Sequence, residues 1–352
     1  MVGTLFPGFR IGDVMMLSVR GNAAVQVLAS PAFAAVPYAA RYDALAERLK
    51  LDFSAIIFSL SHLPLGLRGL EHAAQRADVA RLMAERRGAL AAALPGIVAR
   101  SFACLNVPGE HELMAAAIVP CVDAMIGEMV GMPPDLAADS LVSRVFSQKI
   151  GVAQRRRLEG ELARLIARLV EAFPGESAER IGSRLTLVVL GRDALVGTLG
   201  NSLRALFDEA DGQADGQADG QADGQADGQA DGQADGRALS GFRLAVPPSH
   251  TGVPYIDREA VADTAVSGRL VENGTVVRCM LDSLEGADDA ERLRFFGHGA
   301  HLCLGRAAAL DLFGVLAEHL AGLSARVRVL EVVPRGCDVF SIPDKFIIEV
   351  ET

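Results

Sequence analysis

Phe296-Gly297-His298-Gly299-Ala300-His301-Leu302-Cys303-Leu304-Gly305-Arg306 is a glycine-punctuated loop with one cysteine, and it runs into the alanine-rich apolar pattern that begins at Ala307. A thiol at such a junction faces the positive end of a helix and stands near a histidine, which favours its thiolate form. Gly299 and Gly305 carry no Cβ and let backbone amides approach the sulfur. Donors aimed at a thiolate are how a protein tunes a soft axial ligand for iron. The plainer alternative is a buried structural cysteine after a turn.

The stretch resembles the haem-binding loop of the cytochrome P450 family, Phe-x-x-Gly-x-(Arg/His)-x-Cys-x-Gly. Phe296, Gly299, His301, Cys303 and Gly305 fill the fixed positions. The resemblance implies haem b as cofactor, with Cys303 as the ligand to iron. It also implies a mainly α fold with small β-sheets, here shortened at the N-terminus and in the roof over the substrate.

Bulk composition agrees with a helical protein. Half of the 352 residues are hydrophobic and none is tryptophan, so alanine, leucine and valine must build the core. Runs such as Leu158–Val170 carry the helical period, while strand-like segments such as Phe346–Val350 are few and late. The net charge is −10, but seven aspartates fall in the repeat Asp211–Gly236, and the rest of the chain is close to neutral. No basic stripe argues for nucleic acid. Five scattered cysteines without CxxC spacing fit a reducing cytoplasm. No apolar run reaches the eighteen or so residues that span a bilayer, so no membrane association is expected.

Upstream of the loop, the helical pattern Ala23–Leu28 followed by Ser30-Pro31-Ala32-Phe33 is similar to the family's helix and "Asp-Pro-x-Phe" step. Little precedes it, so most of the usual N-terminal helix and first sheet strands are expected to be shortened or lost. His72 and Arg76 lie four apart, on one helix face. In the family a His-x-x-x-Arg helix holds the haem propionates; a solvated helix face is the alternative. Val122–Pro134 ends a helix at Gly131 ahead of prolines, and Val152–Phe173 reads as a helix closed by Pro174-Gly175.

Glu179–Phe207 reads as one long central helix of about 29 residues, apolar nearly all round at Leu185–Leu190. Gly191 and Asp193 match the family's Ala-Gly-x-(Asp/Glu)-Thr, where glycine opens a groove for dioxygen and the acid-alcohol pair relays protons. Ala194 replaces the alcohol, and an alanine passes no proton. Thr198, one turn on, is the candidate substitute, with helix packing as its alternative role. Asp193 is alternatively a structural acid paired with Arg192.

Asp211–Gly236 is six copies of Asp-Gly-Gln-Ala and a final Asp-Gly. A glycine in every fourth place disfavours helix, and nothing larger than alanine is available to bury, so a flexible solvated insert within a single domain, residues 1–352, is expected. Its aspartate spacing matches neither an EF-hand nor the glycine-rich nonapeptide calcium repeat. Beyond it, Arg243 matches the arginine of the family's Glu-x-x-Arg, but Ser240 stands where the glutamate belongs. Arg258, in Arg258-Glu259-Ala260-Val261-Ala262-Asp263, is similar to the arginine that reaches a propionate. Gly268 and Gly274 mark a hairpin after it, and 325–330 and 346–350 read as closing strands.

The resemblance implies a haem-thiolate oxidoreductase, a monooxygenase acting on a small or carrier-bound metabolite in a secondary pathway. Its partner would be a ferredoxin or flavodoxin-type electron donor. His72, Arg76, Arg258 and His301 would surround the propionates; Gly191, Asp193 and Thr198 would line the distal side. Two alternatives stay open: a haem-thiolate enzyme that does not activate dioxygen (peroxide-driven, dehydratase or isomerase), or a non-catalytic partner protein.

Overall fold

Leu158, Leu162, Leu165 and Leu169 recur at steps of four, three and four, and all are buried along one face of the helix Val152–Ala172. The same spacing writes most of the molecule, since an apolar stripe of this period must find a partner surface. The computed structural model describes residues 9–11, 14–137, 140–147, 149–212, 237–241, 243–281, 288–335 and 339–351. The repeat, apart from its first two residues, and Cys337 lie outside them.

The helices are α1 (Gly21–Ala29), α2 (Tyr38–Leu49), α3 (Ser54–His62), α4 (Gly69–Ser101), α5 (Val119–Val130), α6 (Val152–Ala172), α7 (Ala178–Thr186), α8 (Arg192–Gly212), α9 (Asp289–Arg292) and α10 (Arg306–Ala321). Helix α5 stops at Gly131, whose φ of 91° is the left-handed conformation that glycine adopts without strain. Between α5 and α7 the described residues hold a short 3₁₀ turn, Val142–Phe146, and α6.

The expected single central helix is instead two α segments joined by a π-helical stretch, Leu187–Gly191. The axis continues, but the hydrogen-bond register changes where the cavity begins. Such π insertions occur mostly at functional sites. A second π stretch, Met114–Ile118, precedes α5.

The strands are β1 (Phe9–Ile11), β2 (Val14–Val19), β3 (Phe33–Ala35), β4 (Gly109–Glu112), β5 (Arg237–Ala238), β6 (Tyr255–Ala260), β7 (Thr264–Val266), β8 (Arg269–Val271), β9 (Val276–Met280), β10 (Arg326–Pro334) and β11 (Pro343–Glu351). The first sheet strands are therefore present in short form, β1 over three residues and β2 over six. β2 runs parallel to β9 in a five-stranded sheet of order β1-β2-β9-β6-β3. A strand that takes its neighbour from the far end of the chain carries no local signal of that pairing. The second sheet has the order β4-β11-β10-β5, and β7–β8 is a hairpin turning at Ser267 and Gly268, both with positive φ.

Two large apolar clusters, with a small third one of Met16, Val36 and Val276, form the interior among the described residues. The larger joins helices α2 to α8 and α10 with β10 and β11; the smaller packs α1 on the first sheet through residues such as Val19, Val27, Val277 and Cys279. The cysteine loop lies between the first sheet and α10. Among the described residues no helix is long and apolar enough to cross a membrane.

Candidate haem-thiolate site

Cys303 stands one turn ahead of α10, in a loop closed by a hydrogen bond of 2.8 Å from its own N–H to the Phe296 carbonyl. The Gly305 and Arg306 N–H groups, at the start of α10, lie close enough to its sulfur to draw its pKa down. The thiol is open on one side only, to an apolar cavity, and is crowded by protein elsewhere. Burial consequently pushes its pKa up, against the pull of the two N–H groups, Arg76 and Arg306. This corrects the expectation of a favoured thiolate in the bare protein: the helix end faces the sulfur, but desolvation is the larger effect.

The two loop glycines do different jobs from those expected. Gly299 has φ +66°, and a Cβ there would lie 2.9 Å from the Leu28 carbonyl oxygen, so it seats the loop on α1 rather than opening the sulfur. Gly305 has ordinary helical φ, and its Cβ would meet the sulfur at 3.6 Å, a normal contact. Phe296 lines the cavity beside Cys303.

Four basic side chains gather from three distant parts of the chain. His72 and Arg76 come from α4, Arg258 from the inner strand β6, and His301 from the loop. The His72 and His301 rings lie 4.0 Å apart between centroids. Arg76 donates to the Leu302 carbonyl at 2.5 Å, which ties α4 to the cysteine loop. Arg258 is 2% exposed, the largest fully buried side chain among the described residues, and its guanidinium donates to the Asp257 carbonyl at 3.0 Å. The alternative of a solvated face for His72 fails, since this ring is 7% exposed.

These groups raise one another's cost. Burial, then Arg258, His72 and Arg76, drive the His301 pKa down to about 3. Burial, Arg76 and Arg258 likewise push His72 down. The acid nearest in sequence, Asp257, is held by Arg278 through two bonds of 2.9 Å, and Arg278 lies over the Tyr255 ring. His72 Nε2 is buried with no hydrogen-bond partner. Buried donors and cations without acceptors are costly, and they call for an anion. Haem fits this donor set. Its two carboxylates would answer the basic quartet, and Cys303 supplies the single soft ligand from the loop.

Gly191, Ala194 and Thr198 of the central helix also line the cavity. A Cβ on Gly191 would approach Ile126 Cδ1 at 3.1 Å, so glycine here lets the central helix close on α5. Asp193 does not line the cavity. It is buried and pairs with Arg192 at 2.8 Å, and Arg192 also clasps Asp123 on α5 at 2.5 and 3.1 Å. Burial alone would lower Arg192, but Asp123 and Asp193 carry its pKa up. The pairing of Asp193 with Arg192, its structural alternative, is thus the arrangement observed.

Thr198 does reach the cavity, but its hydroxyl is committed. It donates to the Ala194 carbonyl at 2.7 Å and accepts from the Gly252 N–H at 2.9 Å. Gly252 presses so closely on the helix that a Cβ would lie 2.5 Å from the Ala194 oxygen. Sequence reading missed Gly252 because nothing local pairs it with a helix some fifty residues earlier. It also missed Tyr38 and Asp257 in the cavity wall, which belong to no motif. Arg243 is exposed and lies on no helix.

No protein-family model matches the sequence. No curated protein matches it either. Solved structures do. The crystal structure of CalO2 aligns with a TM-score of 0.71 at 17% identity, covering 96% of this chain and 91% of that one. The tirandamycin C-bound P450 monooxygenase TamI aligns with a TM-score of 0.68 at 19% identity, over 97% and 91% of the two chains. P450BioI, in complex with a hexadec-9Z-enoic acid ligated acyl carrier protein, gives a TM-score of 0.65 at 13% identity, over 96% and 92%. At these identities the likeness is one of fold, and it runs almost end to end: this chain has the cytochrome P450 fold.

Proposed function

We propose that the protein is a haem-thiolate oxidoreductase of the cytochrome P450 type. The observation that carries this reading is Cys303, in a loop ahead of a helix start, facing an apolar cavity lined by Arg76 and His301, with His72 against the His301 ring, Arg258 close by and Asp257 taken up by Arg278. Cys303 would hold the iron of haem b, and His72, Arg76, Arg258 and His301 would hold its two carboxylates. Haem held through this thiolate would supply oxygen chemistry biased toward O–O cleavage. The chain's part is to exclude water with Met125, Ile126, Leu187 and neighbours, and to position a substrate between the central helix and the cofactor. The substrate would be a small or carrier-bound metabolite of a secondary pathway, and the P450BioI complex supports carrier delivery as one route. A ferredoxin or flavodoxin-type protein would supply electrons for a monooxygenase. The reduced, carbon monoxide-treated protein is expected to show the red-shifted Soret band of a thiolate ligand, and Cys303→Ala to abolish it. A histidine-type spectrum overturns the proposal.

A second reading keeps the haem and drops dioxygen activation. Three residues favour it: Ala194 passes no proton, Thr198 has its hydroxyl committed at both ends, and Asp193 is bound to Arg192. An enzyme so built would use peroxide, or dehydrate or isomerise its substrate. Turnover compared with redox partners, with peroxide and with neither separates the two. Strict dependence on an electron donor removes the second reading.

A further inference from the structure

A second cavity shares two wall residues, Tyr38 and Phe146, with the cavity in front of Cys303. The two rings meet edge to face with centroids 5.0 Å apart and form the partition. The two sides of this partition differ in chemistry. The first is apolar, with Met83, Met125 and Met129 in its lining. The second is lined by Arg41 and Arg48 of α2, Arg155 of the first turn of α6, Tyr42 and Ser147, with no carboxylate among its lining residues.

Arg41 is partly neutralised by Glu259 at 3.2 Å. Arg155 donates to the Tyr42 hydroxyl at 2.5 Å, with its guanidinium 5.1 Å from that ring's centroid. Neither Arg155 nor Arg48 has an ion-pair partner among the described residues. The place of Arg48 in the last turn of α2 suits the helix dipole, but this leaves its guanidinium without an acid. Cations gathered in a concavity repel one another and focus a positive potential into it. Such an arrangement gains its stabilisation when an anion enters, and guanidinium forks match the oxygens of carboxylate and phosphate alike.

We propose that the second cavity is an oxyanion seat for the substrate. It takes the terminal carboxylate or phosphate of an amphiphilic molecule, with Arg48 and Arg155 as its ligands and Tyr42 holding Arg155 in place. The apolar part of the molecule passes Tyr38 and Phe146 into the first cavity. This rests on reading the first cavity as the reaction chamber.

Calorimetric titration of the haem-loaded full chain with decanoate, decyl phosphate and decanol tests it, and the heat signal does not depend on the iron's spectrum. At least one of the two anions is expected to bind about tenfold or more tighter than decanol, the size of a charge-assisted hydrogen bond. A carboxylate preference identifies a free acid as substrate; a phosphate preference identifies a phosphate-bearing carrier. Arg48→Gln with Arg155→Gln is expected to abolish the preference and leave decanol binding unchanged. Arg155→Lys, which keeps the charge, is expected to retain most of it. Equal affinity for anion and alcohol in the unmodified protein overturns the proposal, as does a preference that survives the double substitution. Failure of the haem reading would show separately, in the carbon monoxide spectrum.

Discussion

Gly299 is the loop position where the side chain is dictated by sterics alone. Its φ is +66°, and an added Cβ would come within 2.9 Å of the Leu28 oxygen and 3.3 Å of the Ala29 Cα, both backbone atoms that cannot swing aside. Gly299→Ala is therefore expected to cost about 1–3 kcal/mol, the usual penalty for a strained left-handed residue, and to loosen the loop from α1. Thermal unfolding and haem content after purification measure this. Gly305→Ala, with ordinary φ and a normal contact to the sulfur, should cost less, and equal losses in the two variants would refute the argument. At this scale the sequence was informative where chemistry is local. Cys303, His301 and the His72–Arg76 spacing were legible because each pattern is complete within one loop or one helical turn, although the contact that brings them together, the His72–His301 ring pair, is long-range. Asp193 was legible only as a pair of alternatives. What decides its role is Asp123, seventy residues away, which holds Arg192 from the other side. Thr198 was similarly undecided until Gly252 was seen to occupy its hydroxyl.

Helices were read with more success than the joins between them. Helix α6 ends one residue short of its expected limit, and Gly131 stops α5 where the glycine signal places the stop. The π stretch in the central helix left no sequence mark, because its cause is packing: Gly191 against Ile126, and Thr186 bonded to carbonyls of both Gly182 and His62. The join of α5, α6 and α7 rests on Arg184. This buried side chain donates to Glu176 at 2.7 and 2.5 Å and to the Val130 carbonyl, and it lies over the Phe173 ring. The bonded Arg184 holds the Glu176 carboxyl below its ordinary pKa. A folded pKa below the unfolded one stabilises the fold at pH above the ordinary carboxylate value of about 4.3, and the contribution fades as pH falls through the lower folded value. Glu176→Gln is thus expected to lower stability by about 1 kcal/mol near pH 7, a modest figure because water still reaches this carboxylate. The two proteins should converge under acid conditions, below the folded value. Denaturant midpoints across the pH range decide this, and a gap that stays constant into strong acid would rule out the ionic origin.

At the scale of the whole molecule, two sheets and a helical body enclose the cavity, and the Asp-Gly-Gln-Ala repeat stands between parts of that enclosure without contributing an apolar side chain larger than alanine. Before the repeat, α8 carries the cavity-facing Ala194 and Thr198. After it, β5 pairs with β10, and the Leu239 N–H bonds the Ala325 carbonyl at 2.8 Å. Both flanks are thus anchored by their own contacts, in two different layers. The cost of closing a flexible segment rises only with the logarithm of its length. Cutting the insert from six copies to one spans about two doublings and should stabilise the fold by roughly 1 kcal/mol at most. The same cut removes five aspartates and brings the chain nearer to the almost neutral charge of its remainder. Because none of the basic quartet, the cysteine loop or the central-helix residues at the cavity lies in the repeat, the shortened protein is expected to bind haem in the same amount and to unfold at the same temperature or slightly above. Haem content by absorbance and a melting curve for the one-copy variant measure both. A loss of haem in a variant that remains folded would mean that the repeat holds the proximal side together, and that the anchors at α8 and β5 are not sufficient by themselves.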